Sequence, residues 1–262
     1  MAEPSNFDRA KALLEALQSR GVERIFFDDE PKPMEEEMPR KKKTELVEQE
    51  PTQAVERALE AVPKELTVDA AWPESKSLDE LYLKIHKCVE CPLGLTRKNL
   101  VFGSGNPDAD ILVIGEAPGA SEDETGKPFV GAAGQLLTKI LESVGFKREE
   151  VYIANIIKCR PPGNRRPQVL EIDTCEPYLQ KQIELIKPAF IIALGLTAID
   201  SLLKESHKMG AVRGKFFDYR GIKTMVTYHP AALLRNPEWK RPVWEDMKIL
   251  RSQYEEYLKT KE

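Results

Sequence analysis

Residues 110–131 read DILVIGEAPGASEDETGKPFVG. It opens with a continuous apolar run, Ile111 to Ile114, which is typical of a strand covered on both faces by other parts of the protein. The run ends at Gly115 and Glu116. A carboxylate at the end of a buried strand loses its hydration, so it needs either a partner or a task. The stretch therefore predicts a buried strand that delivers a functional loop.

Three more apolar runs repeat this pattern along the chain. They are residues 150–158 (EVYIANIIK), 189–195 (AFIIALG) and 223–230 (KTMVTYHP). Helical patterns lie beside them, at residues 78–88, 134–145, 174–187, 196–206 and 242–259. Strands that alternate with helices form parallel sheets. We therefore expect an α/β protein, a three-layer α/β/α sandwich around a central, mainly parallel four-stranded sheet.

Composition restricts the class of protein. Of the 262 residues, 41% are hydrophobic, which is enough for a buried core. No run of 18 apolar residues is present, and the first residues, MAEPSNFDRAK, lack the basic and then apolar order of a secretory signal. We therefore expect no contact with a membrane and a cytoplasmic location.

The charge is unevenly distributed along the chain. Residues 1–80 contain 12 Lys and Arg against 20 Asp and Glu, whereas residues 81–262 contain 27 against 23. A mildly basic body permits a polyanionic partner without requiring one. We predict two parts: an acidic N-terminal extension, residues 1–77, with a short helix followed by a largely disordered linker, and a folded domain, residues 78–262. A leucine stripe in the extension suggests that it could recruit a protein partner.

The chain contains four cysteines, Cys88, Cys91, Cys159 and Cys175. The first two have the Cys-x2-Cys spacing that lets two thiolates bind one metal centre, and the second pair could complete a set of four ligands. Zinc and an iron-sulfur cluster both fit this spacing. Four unrelated buried cysteines are the remaining interpretation.

Five features in this order resemble the family 4 uracil-DNA glycosylases, the iron-sulfur branch of their superfamily. They are the four cysteines together with GEAPG (115–119), GKPFVGAAGQLL (126–137), VYIANIIKCRPPGNRRP (151–167) and YHPAALLR (228–235). The resemblance covers about residues 78–262. It implies a monomeric DNA-repair hydrolase that removes uracil from single- or double-stranded DNA and leaves an abasic site. It also implies that the cysteines hold a 4Fe-4S cluster.

The resemblance assigns uracil binding to Ala117, Phe129, Asn155 and His229. Phe129 would stack on the extruded uracil ring, and the Asn155 amide would read the donor and acceptor pattern of its edge. Ala117 would let backbone N–H groups approach the base. Without the motifs, Phe129 could equally be a core residue and Asn155 a turn or cap residue.

Catalysis is assigned to Glu116 and His229. Cleavage of the N-glycosidic bond develops negative charge on uracil, and His229 would hydrogen-bond uracil O2 as that charge builds. Glu116 would act on the sugar side as general base, as a water-orienting group or as an electrostatic stabiliser. A simple capping role for Glu116 is the plainer alternative.

Several further residues are predicted to contact DNA. Leu233 or Leu234 would fill the space left by the extruded base, while Arg235 would bind a phosphate. Basic residues around the second cysteine pair would neutralise further phosphates, with Asn164 assisting. That set comprises Lys158, Arg160, Arg165 and Arg166, with Arg213 and Lys215 further along the chain.

Two other functions remain open at this point. A related enzyme class traps uracil-DNA covalently through a histidine in a basic loop of the form KRRIH, but the loop after Cys159 reads RPPGNRRP and lacks histidine. The other possibility is a nucleic-acid-binding iron-sulfur or zinc module without catalysis. The presence of Glu116, Asn155 and His229 disfavours that module.

Overall fold

The structure, a computed structural model, describes residues 68–261. The predicted N-terminal helix and most of the predicted linker segment lie outside the described residues. Residues that precede the predicted domain boundary at 78 already pack on the body, because the ring of Trp72 meets that of Tyr178 edge-on with centroids 4.8 Å apart.

The sheet has six strands rather than the four predicted. They are β1 (Ser104–Gly105), β2 (Ile111–Gly115), β3 (Tyr152–Asn155), β4 (Phe190–Leu194), β5 (Phe216–Tyr219) and β6 (Ile222–Thr227). Their spatial order is β1-β3-β2-β4-β6-β5. The four predicted strands are all present and pair in parallel, while β1 and β5 add antiparallel edges.

Both missed strands have a local explanation. Strand β1 is only two residues long, too short to produce an alternating pattern. Strand β5 forms a hairpin with β6 through Arg220 and Gly221, whose φ angles are 53° and 84°. Two consecutive residues with positive φ match the two-residue turn that joins hairpin strands. The Arg-Gly pair was therefore the feature of the sequence that could have indicated this hairpin.

Nine α-helices lie within residues 68–261. They are α1 (Leu78–Ile85), α2 (Leu93–Thr96), α3 (Ala120–Thr125), α4 (Ala132–Glu142), α5 (Val169–Ile186), α6 (Leu196–Leu203), α7 (Met209–Val212), α8 (Pro230–Arg235) and α9 (Lys240–Lys259). Within this range none of them is both long and apolar enough to cross a bilayer.

The helices cover both faces of the sheet, as the predicted three-layer sandwich requires. Along β2, Leu112 and Ile114 join the core on the side of α1, α5 and α6, whereas Ile111 and Val113 join the core on the side of α4 and α9. All four side chains are at most 2% exposed. A strand buried on both faces explains the unbroken apolar run in the sequence.

The sheet topology creates one crevice at the carboxyl ends of the strands. From β2 the chain moves to β3 on one side, and then returns past β2 to β4 on the other side. In open α/β sheets, ligands bind where the strand order reverses in this way. The ends of β2 and β3 are in register there, with Gly115 opposite Asn155.

Candidate active site and cysteine cavity

The side chains at the carboxyl ends of the strands converge on Gly115, and we call the group of Gly115, Phe129, Asn155 and His229 the strand-end site. A Cβ atom placed on Gly115 would lie 2.5 Å from Oδ1 of Asn155 and 2.5 Å from Cζ of Phe129. Both distances are far too short for non-bonded atoms. Glycine at position 115 is therefore what allows the amide and the aromatic ring to meet at the end of β2.

Phe129 is fixed by its backbone as well as by its ring. The residue has a φ of 51° and is 6% exposed. Its loop is tied to α3 because Glu122 Oε1 accepts hydrogen bonds from the amides of Val130 and Gly131, both at 2.9 Å. A Cβ atom on Gly134 would lie 1.8 Å from the Phe129 carbonyl oxygen, so α4 also holds this loop in place.

Asn155 is the last residue of β3 and is 1% exposed. Its side-chain Oδ1 is buried and has no hydrogen-bond partner among the residues that the structure describes. A buried acceptor without a donor costs about 1–3 kcal/mol. The atom is therefore a ready acceptor for an N–H group that enters the strand-end site.

His229 lies beside Phe129, with ring centroids 5.5 Å apart and planes inclined by 35°. Its Nδ1 accepts a hydrogen bond of 3.2 Å from the amide of Ala231 and so caps the N-terminus of α8. Burial, together with the smaller effect of the nearby positive charge of Arg235, lowers the pKa of His229 to about 4. At neutral pH the ring is therefore uncharged, and the proton resides on Nε2, which becomes a hydrogen-bond donor.

The loop that carries His229 rests on a buried ion pair. Thr227, two residues before the histidine, donates from Oγ1 to Oδ2 of Asp246 at 2.7 Å. Oδ1 of Asp246 accepts a hydrogen bond of 2.7 Å from Arg213. Contact of Arg213 with a phosphate stays a prediction, although its Nη2 already donates to Asp246 and to the backbone oxygen of Pro242.

Glu116 lies at the rim of the strand-end site. Its side chain is 33% exposed, and Oε2 lies 4.0 Å from Nε of Arg166. Its backbone carbonyl accepts a hydrogen bond of 3.3 Å from Ile157, which keeps the start of the loop alongside the segment that follows β3. Ala117 follows and packs against the core. The Glu116 carboxylate thus remains accessible to water while its backbone is held.

The two leucines predicted to enter DNA differ in position. Leu233 is 0% exposed and belongs to the core beneath α8, whereas Leu234 is 48% exposed. Of this pair, only Leu234 is available to an external partner, because Leu233 already fills space inside the protein. Arg235 is exposed at the end of the same helix.

The basic residues around the second cysteine pair also divide by position. Arg165 donates two hydrogen bonds, of 2.9 and 2.6 Å, to the buried carboxylate of Glu171. Arg166 donates to Oγ1 of Thr197 at 3.0 Å and faces Glu116. Asn164 accepts a hydrogen bond of 2.7 Å from Arg160. Asn164, Arg165 and Arg166 are all exposed.

Lys158 departs furthest from its predicted role. It was expected to contact phosphate, but it is 0% exposed, and that expectation is wrong. Its Nζ donates hydrogen bonds to the backbone oxygen of Asn155 at 2.9 Å and to Oε1 of Gln182 at 2.6 Å. Burial lowers the pKa of Lys158 to about 8, opposed by the nearby thiols of Cys175 and Cys159.

The four cysteines line a single cavity, which we call the cysteine cavity. Each thiol is buried, with 5–7% of the residue exposed, and none forms a disulfide. Three of the sulfur atoms have polar neighbours: Arg97 donates to Sγ of Cys159 at 3.1 Å, the amide of Lys158 to Sγ of Cys175 at 3.3 Å, and the hydroxyl of Tyr178 lies 3.5 Å from Sγ of Cys88.

Within residues 68–261, no three Cys, His, Asp or Glu side chains are grouped as they would be around one metal ion. Burial raises the pKa of Cys91 to about 12 and also raises the pKa values of Cys159 and Cys175. Thiols in such surroundings are stable as thiolates only when a positively charged centre binds them.

Sequence reasoning did not find several residues that support these sites. Arg97, Tyr178 and Gln182 were not singled out. Arg97 lies nine residues after Cys88 in sequence and contacts Cys159 only through the fold. No motif marks Tyr178 and Gln182, although both follow Cys175 along α5, three and seven residues later.

The region that contains the strand-end site is also the region that matches known proteins. A family model described as the uracil DNA glycosylase superfamily matches residues 102–248. A type-4 uracil-DNA glycosylase of Pyrobaculum aerophilum is 46% identical over 178 residues, which cover 65% of this chain and 91% of that protein. One from Thermotoga maritima is 47% identical over 174 residues, 64% of this chain and 90% of the relative. A type-5 uracil-DNA glycosylase of Pyrobaculum aerophilum is 31% identical over 146 residues, 49% of this chain and 64% of the relative.

Proposed function

The chain belongs to the uracil DNA glycosylase superfamily, and from this we propose that it hydrolyses the N-glycosidic bond of deoxyuridine in DNA, releasing uracil and leaving an abasic site. The observation that carries this proposal is the buried, unpartnered Oδ1 of Asn155 beside the ring of Phe129. An extruded uracil has a flat face for the ring and an N3–H for this oxygen.

The same geometry accounts for discrimination against cytosine. Uracil presents an N3–H donor and an O4 acceptor, which match the Oδ1 and amide N–H of Asn155. Cytosine presents an acceptor at N3 and a donor at N4, so Oδ1 would stay unpaired in a dry site. Sites of this kind discriminate strongly because the wrong ligand leaves buried polar groups without partners.

His229 and Glu116 act on opposite sides of the scissile bond. The Nε2–H of neutral His229 donates to uracil O2 and stabilises the negative charge that develops on the leaving base. The Glu116 carboxylate, at the water-accessible rim, orients the attacking water and favours the positive charge that develops on the sugar. A dry donor on one side and a hydrated carboxylate on the other match the charge separation of the reaction.

The cysteine cavity is suited to a 4Fe-4S cluster held by Cys88, Cys91, Cys159 and Cys175. The four thiols share one cavity, and four Cys thiolates are the usual ligands of a 4Fe-4S cluster. These four cysteines would hold the cluster and so tie together the distant segments that carry them; hydrolysis requires no electron transfer from it.

DNA binding is assigned to residues on the exposed side of the strand-end site. Leu234 is the residue that would enter the space left by the extruded nucleotide, and Arg235 would contact a neighbouring phosphate. Arg166 and Asn164, both exposed, extend this basic surface from the loop after Cys159. Arg165 has a smaller share in it, because its guanidinium is already paired with Glu171.

An assay for abasic sites tests the proposal directly. The full chain is incubated with oligonucleotides that contain uracil as a single strand, opposite guanine or opposite adenine, followed by alkaline cleavage. We expect strand cleavage at uracil without added nucleotide or metal. An Asn155→Asp variant should increase cleavage at cytosine relative to uracil, and an unchanged ratio would remove Asn155 as the reader of the base. Absence of product from every substrate would favour a DNA-binding module instead.

A further inference from the structure

Lys158 is a fully buried lysine, with 0% of the residue exposed. Burial of an ammonium group is costly unless the group is paired and hydrogen-bonded. Within residues 68–261 Lys158 forms no ion pair with a carboxylate, and Nζ donates instead to two neutral oxygens, those of Asn155 and Gln182. A methionine of similar length would fill the same space without this cost. A lysine at this position therefore indicates that its two hydrogen bonds have a role.

One of these oxygens is the main-chain carbonyl of Asn155 itself. Oδ1 of the Asn155 side chain has no hydrogen-bond partner among the residues that the structure describes. Its direction is therefore set by the backbone at the end of β3 and by the contact with Gly115 and Phe129. The hydrogen bond from Nζ of Lys158 to the Asn155 carbonyl holds this backbone in place.

The other oxygen belongs to Gln182, whose amide orientation is also fixed. Nε2 of Gln182 donates a hydrogen bond of 2.9 Å to the backbone oxygen of Phe102, which directs Oε1 toward Lys158. Gln182 lies seven residues after Cys175 on α5, so both residues face the same side of that helix. Lys158 contacts this face twice, through Nζ to Gln182 and through its backbone amide to Sγ of Cys175.

We propose that Lys158 is a positioning residue that connects the cysteine cavity to the base-reading amide and thereby sets the affinity for uracil. The inference rests on the proposed function of the strand-end site. Lys158 touches neither the base nor the scissile bond. It holds the carbonyl end of β3 against α5, so that Asn155 meets the edge of the base without a rearrangement on binding.

The test compares Lys158→Met with Lys139→Met in the full chain. Lys139 is an exposed lysine in the last turn of α4, outside both sites, so it controls for loss of one positive charge. Binding of free uracil is measured by calorimetry, iron content is measured in the same samples, and the ratio of cleavage at uracil to cleavage at cytosine is taken from the oligonucleotide assay.

We expect Lys158→Met to bind free uracil about tenfold more weakly per iron-loaded chain, and to discriminate less against cytosine, while Lys139→Met matches the wild type. Unchanged uracil affinity in Lys158→Met would overturn the inference. So would a loss of uracil binding that only parallels a loss of iron, because Lys158 would then serve to retain the cluster.

A second variant covers the case in which Lys158→Met does not fold. Gln182→Leu keeps the lysine but removes the acceptor that holds it, and we expect a weaker uracil affinity at wild-type iron content. Wild-type affinity in Gln182→Leu would overturn the inference. These outcomes differ from failure of the proposed function, in which the unmodified chain would neither bind uracil nor release it.

Discussion

The strand-end site and the cysteine cavity are built in opposite ways. The strand-end site gathers residues at the ends of neighbouring parallel strands and leaves a polar atom, Oδ1 of Asn155, without a partner. The cysteine cavity gathers residues from distant parts of the sequence, and three of its sulfur atoms have polar neighbours. One region is arranged to receive a ligand from outside, and the other to hold parts of the chain together.

This difference separates the effects of mutations. Changes in the strand-end site should act first on the reaction rate, because its elements are held by the sheet. Changes in the cysteine cavity should alter stability first. Lys158 contacts both regions and is the exception.

The largest expected effect is on the cysteine side. Cys175→Ser should lose iron and lower the free energy of unfolding by about 3 kcal/mol or more, which for a domain of this size lowers Tm by roughly 10 °C. Calorimetric melting and iron analysis measure both quantities. Thr174 is a neighbouring residue that also lines the cavity. The control variant Thr174→Ser should therefore have the iron content and Tm of the wild type. A Cys175→Ser protein with full iron content and an unchanged Tm would contradict the expected role of the cysteine cavity in stability.

On the strand-end side, His229→Leu and His229→Asn should each reduce the rate of bond cleavage by about 100- to 1000-fold, because neither side chain places an N–H donor where Nε2 of His229 lies. Only His229→Leu should also lose stability, by about 1 kcal/mol, since asparagine can replace the cap on α8. Single-turnover rates and Tm values separate the two effects. A rate within tenfold of the wild type in either variant would remove His229 from catalysis.

The neighbouring leucines of α8 offer a contrast within one helix. Leu233→Ala should lower the free energy of unfolding by about 2–5 kcal/mol because it leaves a cavity in the core. Leu234→Ala should change stability little and weaken activity on duplex DNA more than on single strands, since only the duplex has a space to fill. Equal loss on both substrates would argue against an inserted Leu234.

The neighbouring arginines after Cys159 offer the same contrast near the cysteine cavity. Arg165→Gln should lower the free energy of unfolding by about 1–3 kcal/mol, because the buried carboxylate of Glu171 loses its partner. Arg166→Gln should leave stability unchanged and reduce the slope of log affinity against log salt by about 1. Filter binding at several salt concentrations measures the slope. An unchanged slope in Arg166→Gln would remove that phosphate contact.

The smallest expected effect on the reaction rate is that of moderate acid. With a pKa of about 4 in the folded protein and about 6.5 in the unfolded chain, His229 adds stability that is complete above pH 6.5 and decreases as pH falls toward 4. The contribution of His229 to the rate should stay level from pH 8 to about 5. Proton NMR can follow the three histidines, with His86→Gln and His207→Gln for assignment. A His229 signal that titrates at pH 6 or above would contradict this account.

The sequence predicted the four parallel strands because each is buried on both faces and therefore reads as an unbroken apolar run. It did not reveal β1, which is too short to carry a pattern. It also could not show which side chains of a motif point into the core and which point to solvent. Leu233 and Leu234 are identical in type, and only the packing of α8 shows which one is inside.

Charged residues were the least predictable. Lys158 and Arg213 read as surface cations, and both are directed inward by partners that are distant in sequence, Gln182 and Asp246. Such partners have no fixed spacing from the residue that they bind. Local motifs therefore identify the residues that a site brings together, whereas the supporting contacts require the fold.

The unpartnered oxygen of Asn155 has a consequence for turnover. Once the glycosidic bond is broken, free uracil still has the N3–H that can donate to Oδ1 of Asn155. The product therefore forms the same hydrogen bond as the uracil of the substrate did. Accumulated product should then compete with the next lesion, and its escape, rather than bond cleavage, would limit steady-state cycling.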